Sequence, residues 1–265
     1  MMLVIESAAD AAGKRIDVPI QNGTRLAGRT DWLENGHRSG AVADGVPLDL
    51  PPNSVLDTHF HRENQFQLFV TGEGRIGRYS VRPLTVHYAG AGTGYGRWSQ
   101  GRKACRTSRS ARCTTPARGI CRRREDLVRG PKRSLHSEPS EPLVRDTLRS
   151  LAAPVVIDPI ALQSDGIAAQ LIRLPPRTLH TIEIDPASGA GQFLIVIAGP
   201  VAVNDRAFSP FDVVFASRDE SPFRLLFKDD GAEVIVLQTP EKDVVYVGHG
   251  TSHATAKQKS PPLGE

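Results

Sequence analysis

Two histidines, His59 and His61, stand one residue apart, just ahead of the run Gln65-Phe66-Gln67-Leu68-Phe69-Val70. On a strand, residues i and i+2 point to the same face. A pair on the inner face of a barrel can present two imidazoles to one divalent metal ion. Gln65, four residues after His61, sits across the next turn and offers a neutral amide oxygen that can complete a facial set. Glu63 and Phe66 flank these residues and are expected to line the substrate pocket. A plainer reading stands beside this one: a hydrogen-bonded histidine pair in a metal-free pocket, with Gln65 as a cross-strand polar contact. His87 lies alone on an apolar stretch, where a histidine is usually just packed. His37, His136, His180, His249 and His253 join no constellation and are expected to be exposed or structural. No carboxylate pair at catalytic spacing appears, and no general base stands out.

The stretch from Asn53 to Gly72 resembles the first conserved motif of the cupin superfamily: Gly, five residues, His-x-His, three or four residues, Glu, six residues, Gly. Asn53 stands at the first glycine, His59 and His61 match, Gln65 stands where the glutamate belongs, and Gly72 matches. Asn suits a turn because it visits the left-handed region readily. Gln in place of Glu removes a negative charge from the ligand set. The second motif of the family aligns with Leu84 to Tyr95. There Leu84 replaces the first Gly, Gly90 replaces a Pro, Gly92 matches, and Tyr95 stands at the histidine.

The resemblance implies an all-β chain of double-stranded β-helix (jelly-roll) barrels. It implies a divalent metal (Fe, Mn, Ni or Zn) on His59, His61 and Gln65, with Tyr95 in the pocket to orient substrate. The implied chemistry is oxidation or isomerisation of a small organic acid or aromatic. Non-catalytic small-molecule binding and a vestigial structural role remain alternatives, because a fold does not by itself give a function.

The elements around the motif read as short strands. Val, Ile, Leu and Phe runs alternate with Gly, Pro, Asn and Asp, as at Phe193 to Ile197, Phe211 to Phe215 and Val234 to Leu237. Many short strands with turn signals predict a sandwich or barrel. An internal repeat predicts two of them. Gln65, Gly72 and Pro83 recur 127 residues later as Gln192, Gly199 and Pro210. Each half also carries an upstream Pro-Pro, at Pro51-Pro52 and Pro175-Pro176. The expected division is a first cupin repeat over 1–130, a linker with a short helix over 131–155, a degenerate second repeat over 156–247, and a polar tail over 248–265. Glu141 to Leu151 is the best helix candidate. The second repeat has no His-x-His; His180 and Glu183 are its polar candidates.

The net charge of +4 is uneven. Ten Lys or Arg and no acid fall between Arg97 and Arg124; without them, 23 basic residues face 29 acidic ones. Cys105, Cys113 and Cys121 lie in the same stretch, at spacings that fit no zinc motif. The stretch 97–124 lacks apolar periodicity. It admits three readings: a pair of compensating frameshifts, a poorly packed basic insertion, or a nucleic-acid-binding arm. Read one base out of frame with GC-rich codons it yields a strand-like PYFTLRPLY and a turn-like DPGA. Only Trp98 is present to stack on a base, so nucleic acid is not expected as a partner. No signal peptide and no window of about 18 apolar residues is present, which sets the expectation of a cytoplasmic protein that does not meet a membrane. The expected partners are a small-molecule ligand and a second copy in a homodimer.

Overall fold

A computed structural model of the chain describes residues 3–6, 15–19, 26–30, 42–103, 105–113, 120–121, 130–227 and 230–246. His37, His249, His253 and the tail lie outside these residues. The chain adopts the expected all-β, two-repeat architecture. In the second half, a six-stranded antiparallel sheet runs in the order Leu3–Glu6, Val213–Ser217, Gly191–Ala198, Ala232–Thr239, Ala168–Leu174, Val155–Ile160. It packs against a four-stranded sheet of Leu179–Thr181, Arg224–Leu226, Val201–Val203 and Arg206–Phe208. Leu194, Val196, Val214, Val234 and Val236 of the large sheet meet Val201, Val203, Phe208 and Leu225 of the small one. In the first half, a seven-stranded sheet runs Ser134–His136, Val86–Ala89, Gln65–Thr71, Cys105–Cys113, Val42–Leu50, Leu26–Thr30, Arg15–Pro19. Two smaller sheets close this barrel. One holds Val55–Leu56, Trp98–Gln100, Gly74–Ile76 and Tyr79–Val81; the other holds Gly94–Tyr95, His59–His61 and Ile120–Cys121.

The 127-residue repeat is a repeat of structure. Gly72 and Gly199 both take positive φ, 81° and 72°. Leu84 and Phe211 also share the left-handed region, at 59° and 74°. Each follows a proline in a turn closed by a backbone bond, Thr85 N to Arg82 O at 3.1 Å and Asp212 N to Ser209 O at 3.0 Å. Pro at the second position and positive φ at the third define a type II turn, where glycine is usual. Leu84 carries a side chain there because that side chain is buried between the two halves. This accounts for the missing glycine of the second motif. Asn53 and Arg177, each after a Pro-Pro, share the same conformation at 55° and 57°.

The two large sheets pack face to face. Phe66, Leu68, Leu84, Val86 and Tyr88 of the first half join Phe193, Ile195, Val213, Phe215, Ile235 and Leu237 of the second in one buried cluster. The first strand, Leu3–Glu6, pairs with Val213–Ser217 and so extends the sheet of the second half. Ser134–His136, in the stretch read as linker, pairs with Val86–Ala89 and extends the sheet of the first. The helix is α1, Arg145–Arg149, shorter than expected, with Arg145 and Arg149 both on Asp230. Among the described residues no helix is long and apolar enough to cross a membrane.

The basic stretch supplies a central strand. Cys105–Cys113 (CRTSRSARC) occupies the slot that Ala232–Thr239 (AEVIVLQT) fills in the second half. Ile235 stands opposite Ile195 and Leu237 opposite Phe193. The same register puts Ser108 opposite Leu68 and Ser110 opposite Phe66. At the equivalent register positions the second half carries Ile235 and Leu237. Ser108→Ile with Ser110→Leu is expected to stabilise the chain by about 2 kcal/mol. Urea unfolding checks this: a midpoint that stays put or falls removes the equivalence of the two strands.

Candidate functional site

Strand alternation divides the Gln65–Thr71 strand into two faces. Phe66 and Leu68 enter the interface between the halves, so Gln65, Gln67 and Phe69 point into the first barrel. On the neighbouring strand, Val86 and Tyr88 face the interface and His87 faces inward. Phe66 is therefore no pocket residue. It is fully buried in the opposite direction, 5.0 Å centroid to centroid from Tyr88. Glu63 is also drawn off: its carboxylate pairs with Lys242 Nζ at 2.9 Å in the buried seam with the second half. Its neighbour Asn64 bonds the carbonyls of Pro240 and Glu241 there.

His59 and His61 converge on Tyr95. Tyr95 pairs with His59 across the strands, and its ring stacks on His59 at 5.3 Å. The His61 ring meets it edge-on at 5.4 Å, and His59 and His61 lie 5.0 Å apart at 83°. His87 approaches from the other side at 5.5 Å. Beyond it the chain of rings continues through His136, 5.5 Å from His87, to Tyr79, stacked on His136 at 4.4 Å. His59 and His61 are half-buried at the barrel mouth, while Tyr95 and His87 are buried within. His136, expected to join nothing, is a member of this constellation. No sequence signal marks it; strand pairing brings it there, with His136 directly opposite His87 and His87 directly opposite Gln67.

Hydrogen bonds fix two of the imidazoles. His59 Nδ1 lies 2.8 Å from the carbonyl of Asp57. A carbonyl only accepts, so this nitrogen carries a proton. His136 Nε2 lies 3.3 Å from the Ser80 carbonyl and must likewise donate. Its Nδ1 then accepts, at 3.3 Å, from His87 Nδ1. His87 Nε2 is left as an acceptor. Burial, with the neighbouring His136, pushes His87 down to about 4; burial also lowers His136. Both are neutral at physiological pH.

A backbone-anchored Nδ1–H is how metal-binding histidines are commonly oriented. Gln65 is buried on the inner face, and its Oε1 has no hydrogen-bond partner. Two imidazoles and an amide oxygen fit a borderline divalent ion in donor type. The set carries no negative charge to offset the ion. Among the described residues no group of three or more His, Cys, Asp or Glu stands together as a metal cluster. Among the described residues the second half has no His-x-His beside its glutamine. There Gln192 holds the place of Gln65; its Nε2 is tied to Gln238 Oε1 and to the Ile184 carbonyl, both at 2.7 Å, while its Oε1, like that of Gln65, has no hydrogen-bond partner.

No family model and no curated protein matches the sequence. Solved structures match it along nearly its whole length. Pirin YhhW from Escherichia coli, in complex with nickel(II), is 10% identical with a TM-score of 0.57, over 91% of this chain and all of that one. Bacillus subtilis oxalate decarboxylase, described through its Mn(II) centres, is 11% identical with a TM-score of 0.55, over 91% of this chain and 78% of that one. A candidate dioxygenase from Nostoc punctiforme is 14% identical with a TM-score of 0.55, over 94% and 82%. These likenesses show the fold alone: all-β, jelly-roll barrels of the kind found in these cupin proteins.

His87 gives the site a measurable pH signature. Its folded-state value lies below the 6.5 of the free side chain, so the unfolded chain binds the extra proton. Stability from its neutral burial is complete above pH 6.5 and falls away as pH drops towards about 4. The expected loss across that window is about 3 kcal/mol. Urea melts of metal-free wild type and His87→Phe over this range check it. A wild type that is no more pH-sensitive than the variant would show that His87 is not held neutral.

Proposed function

We propose that the first barrel binds a divalent metal through His59, His61 and Gln65 and acts on a small organic acid or aromatic as an oxygenase or isomerase. The observation that carries this reading is the orientation of His59. Its Nδ1–H is fixed to the Asp57 carbonyl, with His61 at 5.0 Å, and a buried Gln65 oxygen without a hydrogen-bond partner stands on the strand that follows. That the structural neighbours include nickel- and manganese-containing proteins supports the choice of ion class. A metal bound there supplies Lewis acidity and open coordination positions. The rest falls to the chain. Asp57 sets the His59 tautomer through its carbonyl. Tyr95, packed against three imidazoles, walls the pocket and orients a flat substrate. Burial of Tyr95 and His87 excludes water from the inner end.

The second half acts in this reading as a structural partner, its interior filled by Leu194, Val214 and Val236. The division into repeats over 1–130 and 156–247, joined by 131–155, belongs to the same proposal. So do a cytoplasmic setting and a homodimer. A second reading, a small-molecule-binding barrel without catalysis, is favoured by the all-neutral donor set and by the lack of a three-member His, Cys, Asp or Glu group among the described residues.

Elemental mass spectrometry of untagged protein tests the choice. Near-stoichiometric metal in the wild type, lost in the His59→Ala/His61→Ala double variant, is the expected result. Protein that stays empty after incubation with Fe(II), Mn(II), Ni(II) and Zn(II) in turn excludes the metal reading and leaves the binding one.

A further inference from the structure

The two barrels act as controls for each other, and one row of residues separates them. Across three adjacent strands the first barrel places Gln67, His87 and His136 in register. The same positions of the second barrel hold Leu194, Val214 and Ile5. Leu194 and Val214 are fully buried in an apolar interior. The fold therefore accepts aliphatic side chains in this row, and aliphatics would satisfy burial better. Gln67 and His87 are nonetheless only 5% and 3% exposed, and Gln67 Oε1 has no hydrogen-bond partner. A buried acceptor left unmade costs stability, and so does a buried imidazole. Polar groups retained against that cost point to a ligand.

The chemistry of the row is specific. Gln67 offers a carbonyl oxygen. The bond from His87 Nδ1 to His136 Nδ1 leaves the His87 Nε2 lone pair as a second acceptor. Tyr95, at 5.5 Å from His87, brings an aromatic wall beside them. We propose that Gln67 and His87 form the hydrogen-bond-accepting floor of the first barrel, which receives the hydroxyl of a neutral aromatic ligand of the phenol type, with His136 as the positioning residue that fixes the His87 tautomer. The proposal rests on the first barrel being a ligand site, and it narrows the substrate class from acid or aromatic to hydroxylated aromatic. Two lone pairs attract an O–H and repel a carboxylate. The low affinity of His87 for a proton keeps its imidazole uncharged at neutral pH.

Two measurements on the full-length chain test this. Proton–nitrogen correlation spectra of the histidine side chains read tautomers directly. The expected pattern is Nδ1–H at His87 in the wild type, loss of that preference in His136→Leu, and its recovery in His136→Gln, whose amide oxygen can accept. Titrations with phenol and with benzoate at neutral pH read the specificity. Phenol is expected to bind more tightly than benzoate, and its Kd to rise at least about tenfold in Gln67→Met and in His87→Phe. Gln67→Met keeps the side-chain volume, so it remains informative if His87→Phe folds poorly. An Nε2–H tautomer at His87, benzoate binding as tight as phenol, or phenol affinity unchanged in Gln67→Met each overturns the proposal. Metal content measured on the same samples separates it from the metal reading. Empty protein that still prefers phenol through Gln67 supports the proposal and removes only the metal. Metal-loaded protein that does not prefer phenol removes the proposal alone.

Discussion

The contact on which the rest depends is the face-to-face packing of the two large sheets. Phe66, Leu68, Val86 and Tyr88 are held against Phe193, Ile195, Phe215 and Ile235. Because strand side chains alternate, burying one face of Gln65–Thr71 and Val86–Ala89 dictates what the other face presents. Gln65, Gln67 and His87 are inside the first barrel because their neighbours are outside it. A one-residue slip of either strand would put the amides and the imidazole into the interface and the aromatics into the pocket. The polar site is thus specified by apolar residues that never touch it. The positive φ of Leu84 belongs to the same account. A left-handed leucine costs about 1 kcal/mol, and burial of its side chain in this interface offsets that.

Within that frame, the repeats differ in how they treat the same amide. Gln192 and Gln65 occupy equivalent strand positions, each at the start of the strand leading to a left-handed glycine. Gln192 faces Gln238, whose own Nε2 continues to Ser188 Oγ at 2.6 Å. Gln65 faces Ala111 and Ala89 instead. Gln192 is held through its amide nitrogen, although its Oε1, like that of Gln65, has no hydrogen-bond partner. The difference comes from the opposing strands, not from the glutamine. The first motif alone, which keeps only the glutamine and its glycine in both halves, does not distinguish an open site from a closed one.

This explains what could be read in the sequence. The 127-residue offset of Gln65, Gly72 and Pro83 was legible because turns need particular backbone conformations, and those leave residue-type marks. Asn53 at a left-handed turn was legible for the same reason. The grouping of His59 and His61 followed from strand parity. Tyr95 could be placed only by its alignment with a family motif. Phe66 and Glu63 were misplaced because proximity in sequence to His61 says nothing about which face a side chain takes. The second half decides both: it covers Phe66 and supplies Lys242 to Glu63. His136 was hidden because it lies 49 residues from His87 and arrives on an edge strand inside what reads as a linker. Edge strands such as Leu3–Glu6 and Ser134–His136 leave little trace, being short and flanked by ordinary loop residues.

The charge state of the first barrel follows from the same row. An ion bound by two imidazoles and an amide would bring its full charge into a partly buried site, since none of these three donors is a carboxylate. Such charge is costly unless paired, and a second positive charge nearby adds to the cost. A protonated His87 would raise that cost. The arrangement that prevents it is the donor relay from His87 through His136 to the Ser80 carbonyl, with desolvation holding both rings neutral. The relay thus does two things with one geometry. It keeps the His87 ring neutral, and it leaves the His87 Nε2 as an acceptor. The Leu194 and Val214 of the sister barrel could do neither, and this is the physical difference between the two interiors.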